Sequence, residues 1–94
     1  MNNIEMKFRE RGVIRGGILF LRAENAIDMI EQCQIENFAI LGVDGFIIKE
    51  NSTQPVMEHS IDLSNKANEC WDVARHFLIS KKFEDLFFEV VIAD

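Results

Sequence analysis

Apolar residues recur along the chain at two spacings, and the switches between them divide it into elements. Behind the Gly16-Gly17 pair, Ile18, Leu19, Phe20 and Leu21 form a short β-favouring run, which predicts a strand over 17–21. Ala23, Ala26, Ile27, Ile30 and Cys33 then repeat at helical spacing, with Glu24, Asp28 and Glu31 on another face, so 23–34 reads as an amphipathic helix with an acidic outer stripe. The runs Phe38–Leu41 and Phe46–Ile48 flank an Asp44-Gly45 pair, a good short-range hairpin signal, and predict strands over 37–42 and 46–50. One long strand with a glycine bulge is the competing reading. Glu50 to Pro55 is polar and reads as a loop, and Val56 to Leu63 alternates only partly and reads as an extended connection. Ser64 is placed to cap a second helix, whose residues Ala67, Cys70, Trp71, Ala74, Phe77 and Leu78 give the strongest helical pattern in the chain. Lys81 and Lys82 near its end complement the helix dipole. Phe88, Val90 and Ile92 share one face of a closing strand over 87–92, with Glu89 on the wet face.

The order β-α-β-β-α-β predicts an α+β fold: a two-layer sandwich, with two helices packed on one face of a mainly antiparallel four-stranded sheet. Trp71 is expected to anchor the core beneath the second helix. At 94 residues, with 48% hydrophobic side chains, the chain suits a single domain over 1–94, and residues 1–15 are open between a basic arm and part of the fold. The longest charge-free apolar run, Phe38 to Val43, is far too short to span a bilayer, and no hydrophobic segment follows the charges between Glu5 and Glu10. A cytoplasmic address is therefore expected.

Charge sharpens the picture. Residues 1–22 hold five bases against two acids, whereas 23–94 hold five bases against fourteen acids, within a net charge of -6. An acidic body repels nucleic acid and attracts basic proteins, although the same charge also serves plain solubility. Phe8 and Phe20 lie near the N-terminal bases, yet no aromatic RNA-recognition motif interleaves with them. Pairing of those bases with the acidic body in cis is the simpler expectation.

No catalytic constellation stands out. Cys33 and Cys70 lack CxxC or CxxH neighbours and sit on apolar helical stripes, so they read as buried thiols, with a disulfide as the minor alternative. His59, Asp62 and Ser60 or Ser64 are the residue types of a hydrolase triad, but they are crowded into one segment, where triads gather theirs from separate ones. His76 beside Asp72 reads as a surface pair rather than a metal ligand. Neither enzymatic activity, nor a cofactor, nor a metal is expected.

Between Leu21 and Asp62 the chain carries Ile40-Leu41-Gly42, Gly45-Phe46, Thr53-Gln54-Pro55 and Glu58-His59-Ser60-Ile61-Asp62, followed by Trp71 and the closing FFEVVIAD. In the order and spacing of these elements it resembles immunity proteins of bacterial polymorphic toxin systems, and within them the immunity protein 40 family. The resemblance implies a cytoplasmic protein that binds a cognate toxin C-terminal domain and blocks it by occlusion, without catalysis. The basic first 22 residues have no counterpart in it. A basic nuclease would suit the acidic body as partner. The acids that the core does not need, Asp44, Glu50, Glu58 and Asp62, are the expected toxin-binding edge, and the helical stripe Glu24, Asp28 and Glu31 is the alternative. A small ligand-binding or regulatory α+β domain is the competing function, and a minimal hydrolase using His59 the remote one.

Overall fold

The computed structural model describes residues 1–93. Two glycines at positive φ, Gly16 (57°) and Gly17 (78°), turn the chain between β1 (Val13–Arg15) and β2 (Ile18–Phe20), which pair antiparallel as a two-stranded sheet. Positive φ at both central residues is what a two-residue hairpin with native twist requires. Ahead of it, residues 1–15 are not an arm: α1 (Asn3–Phe8), a 3-10 turn over Arg9–Arg11 and β1 are all ordered, and Ile4 and Phe8 are buried in the core. A capping box starts α1, with Asn2 Oδ1 accepting from the Glu5 amide at 2.8 Å and Glu5 Oε1 accepting from the Asn2 amide at 3.1 Å.

The first long helix, α2 (Ala23–Ile35), buries Ala23, Ala26, Met29, Ile30 and Cys33, so Met29 takes the core place that the sequence reading gave to Ile27, which is half-buried. It ends in a Schellman motif. Asn37 takes φ 62°, its amide donates to Gln34 O at 3.1 Å, and the Phe38 amide donates to Cys33 O at 2.8 Å. This capping takes residues 37–39 out of the expected strand. The next strand, β3 (Ile40–Lys49), runs unbroken through Asp44-Gly45, and the hairpin turns instead at Glu50–Asn51 into β4 (Ser52–Asp62). Neither Asp44 nor Gly45 has positive φ, and the register slips between them, so the bulge reading replaces the hairpin there. The expected loop over 50–55 and the connection over 56–63 thereby become mostly strand.

Ser64 does not cap a helix; its amide donates to Asp62 Oδ1 at 3.0 Å. A 3-10 turn over Ala67–Glu69, with Ala67 exposed at φ 48°, precedes α3 (Cys70–Ser80), which buries Cys70, Trp71, Ala74 and Leu78. β5 (Phe87–Ile92) closes the fold by pairing with β3, giving a three-stranded antiparallel sheet in the order β4-β3-β5. Among the described residues the architecture is α+β, with three helices and two small antiparallel sheets rather than two helices on one four-stranded sheet. β2 fails to join as a full fourth strand because only Leu21, just past its end, bridges to Phe88, through bonds of 2.9 and 2.7 Å. α2 enters two residues after that bridge and draws the chain away.

Register sorts the side chains of the sheet. Val43 lies between Ile61 and Val90, and Gly45 between Val56 and Phe88, and these rows face the helices and share one core with Ile4, Phe8, Met29, Ile30, Leu63, Trp71 and Leu78. Trp71 is 8% exposed, and its Nε1 donates to Phe38 O at 2.8 Å, satisfying a carbonyl next to the helix cap. Phe77 meets Phe88 edge to face, with centroids 6.3 Å apart. No helix among the described residues is long and apolar enough to cross a membrane.

Candidate functional site

Alternating with the core rows are three that face away from the helices: Pro55–Phe46–Phe87, Ser60–Asp44–Glu89 and Asp62–Gly42–Val91. The first of these is covered. Phe20 packs edge-on to Phe46 at 4.8 Å, the Arg22 guanidinium stacks 3.9 Å above the Phe87 ring, and Arg15 donates to Ser52 O at 3.1 Å, tying the β1–β2 hairpin to the start of β4. The other two rows stay open.

Over these open rows lies a cleft of about 380 Å³ lined by Leu41, Gly42, Asp44, Met57, Ser60, Ile61, Asp62 and Val91. Its origin is local. Gly42 contributes no side chain between Asp62 and Val91, its two partners in register, so the face has a gap at the middle strand. One wall comes from an irregularity in β4: Val56 pairs with Gly45 and Ser60 with Asp44, leaving Met57, Glu58 and His59 unpaired as a bulge. The Ser60 hydroxyl fastens it, donating to Val56 O at 3.2 Å and accepting from the Gly45 amide at 3.3 Å. A Cβ at position 45 would stand 2.6 Å from His59 O, so Gly45 is needed for close approach of backbone and not for positive φ. Apolar surface is left bare at the rim, where Met57 is 81% exposed and Leu41 40%.

The electrostatics of the cleft are one-sided. Asp44 faces Glu89 directly across the β3–β5 ladder. Burial, the Asp44 charge and, third, the Glu5 charge raise the Glu89 carboxyl above its ordinary value. Asp62 is pushed the other way, because the Ser64 amide donates to it, and it stays ionised.

Of the acids singled out in the sequence, the fold brings Asp44 and Asp62 together on this cleft and sets Glu58 beside it, exposed on the bulge. Glu50 is apart, at the hairpin tip, six residues and roughly 20 Å along β3 from Asp44. The alternative stripe is exposed along α2, but Arg11 already engages Asp28 at 3.1 Å. Lys7 pairs with Glu36 at 3.3 Å, just past the end of that helix, and Arg22 with Asp85 at 2.8 Å. Several bases of the N-terminal segment are thus used in cis. Glu89, Leu41, Met57 and Val91 were not among the expected site residues; the alternation of 87–92 already placed Glu89 on the wet face, but only the register brings it against Asp44.

The triad residue types do not assemble: Ser60 serves the bulge, Asp62 receives the Ser64 amide, and His59 Nδ1 is buried without a hydrogen-bond partner among the described residues. Cys33 and Cys70 are buried free thiols; Cys70 Sγ accepts from the Ile40 amide at 3.3 Å, and burial, then nearby carboxylates, push Cys33 up to about 12. Among the described residues no group of three or more His, Cys, Asp or Glu is arranged to hold a metal ion. Compared with protein-family models, curated proteins and solved structures, the chain matches none.

Proposed function

We propose that this chain is an immunity protein, which binds a cognate toxin domain in the cytoplasm and neutralises it by occlusion, without catalysis. The observation that carries the reading is the half-open sheet face: two rows of side chains with Asp44, Glu89 and Asp62 among exposed Leu41 and Met57, on a body of net charge -6. Acids beside bare apolar side chains suit a basic protein surface, since complementary charge steers the encounter and burial of the apolar side chains adds to its stability. The sequence resemblance to polymorphic-toxin immunity proteins supplies the biological setting. Asp44, Asp62 and Glu58 are the toxin-facing acids in this reading, with Glu50 at most a rim contact and the α2 stripe of Glu24, Asp28 and Glu31 as the alternative face.

Co-expression with the product of the adjacent upstream gene tests it. Rescue of growth and co-purification of the two chains are expected, with association slowed by added salt. A toxic neighbour that is neither bound nor neutralised would overturn the reading. The cleft volume also favours a second reading, a small-molecule sensor, since pockets of about 300–1,000 Å³ hold such ligands. A metabolite that shifts the amide signals of the cleft and raises the melting temperature would favour that one.

A further inference from the structure

The cleft over Gly42 joins two kinds of wall. Leu41, Met57 and Val91 offer aliphatic surface, and Asp44 and Asp62 offer carboxylates at diagonal positions on adjacent strands. Diagonal neighbours of this kind stand about 7–8 Å apart. Positions so spaced lie within reach of one long side chain laid between them, and a planar guanidinium, whose N–H donors point outward in opposite directions, can serve two carboxylates together, Asp62 accepting through Oδ2 while its Oδ1 keeps the Ser64 amide; an ammonium acts as a point charge without that fork. The three-carbon stem of the same side chain prefers apolar cover.

We infer that the cleft is a socket for one arginine side chain of a protein partner, its stem lying over Gly42 against Leu41, Met57 and Val91 and its guanidinium held between Asp44 and Asp62. The inference rests on the toxin-binding reading and specifies the partner's anchoring residue. Glu89 supports it from outside the lining: it faces Asp44 as a like charge directly across the ladder, an arrangement that is unfavourable alone and relieved by a cation between strands. Elsewhere on this face the arginines of the chain itself are spent on the covered row, so the socket is left for a residue from outside.

The test is an amide-resolved NMR titration of the full chain at low salt with N-acetyl-arginine amide, N-acetyl-lysine amide and N-acetyl-norleucine amide. The arginine probe should give saturable shifts confined to residues 41–44, 57–62 and 89–91, with a Kd on the order of millimolar for so small a ligand. The lysine probe should bind at least threefold more weakly, and the norleucine probe should leave those signals unmoved. Asp44→Asn combined with Asp62→Asn should weaken the arginine response at least tenfold. Gly42→Ala should weaken it similarly by filling the floor; its Cβ would stand 3.1 Å from Ile61 O, so if that variant does not fold the paired Asn variant decides alone. Equal response to norleucine, equal response to lysine, or shifts spread over all acidic surfaces would each overturn the socket. Failure of the titration alongside successful co-purification removes the socket and keeps toxin binding, whereas the reverse keeps the socket and removes the toxin.

Discussion

Trp71, Gly45 and Glu89 show how single residues set the fold and its tuning. Trp71→Ala removes a buried indole and should cost about 3–5 kcal/mol, while Trp71→Phe keeps most of the packing but orphans the Phe38 carbonyl, for about 1–2 kcal/mol. Denaturant midpoints check both, and a Trp71→Phe midpoint equal to the parent's would deny the hydrogen bond its part. Gly45→Ala should destabilise markedly even though its φ is ordinary, because the new Cβ meets the His59 backbone, which has no flexible end to yield. Thermal melting decides it; an alanine variant as stable as the parent would mean that the bulge can move away. Glu89 has a raised native pKa against an ordinary 4.5, so the native state holds its proton more tightly than the unfolded chain. The contribution of Glu89 to stability is therefore expected to fall as pH rises from about 4.5 through the raised value. Glu89→Gln should melt higher than the parent at neutral pH and level with it near pH 3, as melting curves across pH would show. Of these residues, Trp71 was legible as a core anchor from helical spacing. Gly45 was legible as special but for the wrong cause, since a sequence does not show which backbone will pass over a glycine.

Elements declared themselves where one short period ran uninterrupted, and hid where tertiary contacts broke it. α2 and α3 each carry a clean apolar stripe, and β5 alternates, so all three were readable. β4 was not, because Pro55 and the Met57–His59 bulge break its alternation. An edge strand tolerates both: proline has no amide to give a neighbour, and a bulge discourages pairing with a further chain. α1 was masked by its own charges, although Asn2 and Glu5 spell a capping box and Ile4 and Phe8 stand four apart on one face. Its part in the core gives a direct prediction. Phe8→Ala should cost about 3–5 kcal/mol by denaturant unfolding, as for any buried phenylalanine, whereas a loose N-terminal arm would lose nothing.

Across the whole molecule, the N-terminal bases and the acidic body are arranged rather than merely mixed. Lys7 and Arg11 engage acids along and just past α2, and Arg15 and Arg22 help cover one row of the outer sheet face, which leaves the cleft as the open acidic ground. The individual surface pairs contribute little stability, roughly 0–1 kcal/mol each, so their larger effect is on where negative field remains. The sequence revealed the acidic body and both acids that line the cleft, Asp44 and Asp62, but contiguity depended on register, and register is what parted Glu50 from them and brought Glu89 against Asp44. The measurement that bears most directly on the account is the affinity of the proposed toxin partner, the product of the adjacent upstream gene, for two folded variants, one carrying Asp44→Lys and Asp62→Lys, the other Glu24→Lys and Glu31→Lys. The sheet-face variant should lose about 2–5 kcal/mol of binding while the helix variant stays near the parent. Affinity within about threefold of the parent for the sheet-face variant, with the loss appearing on the helix instead, would contradict it.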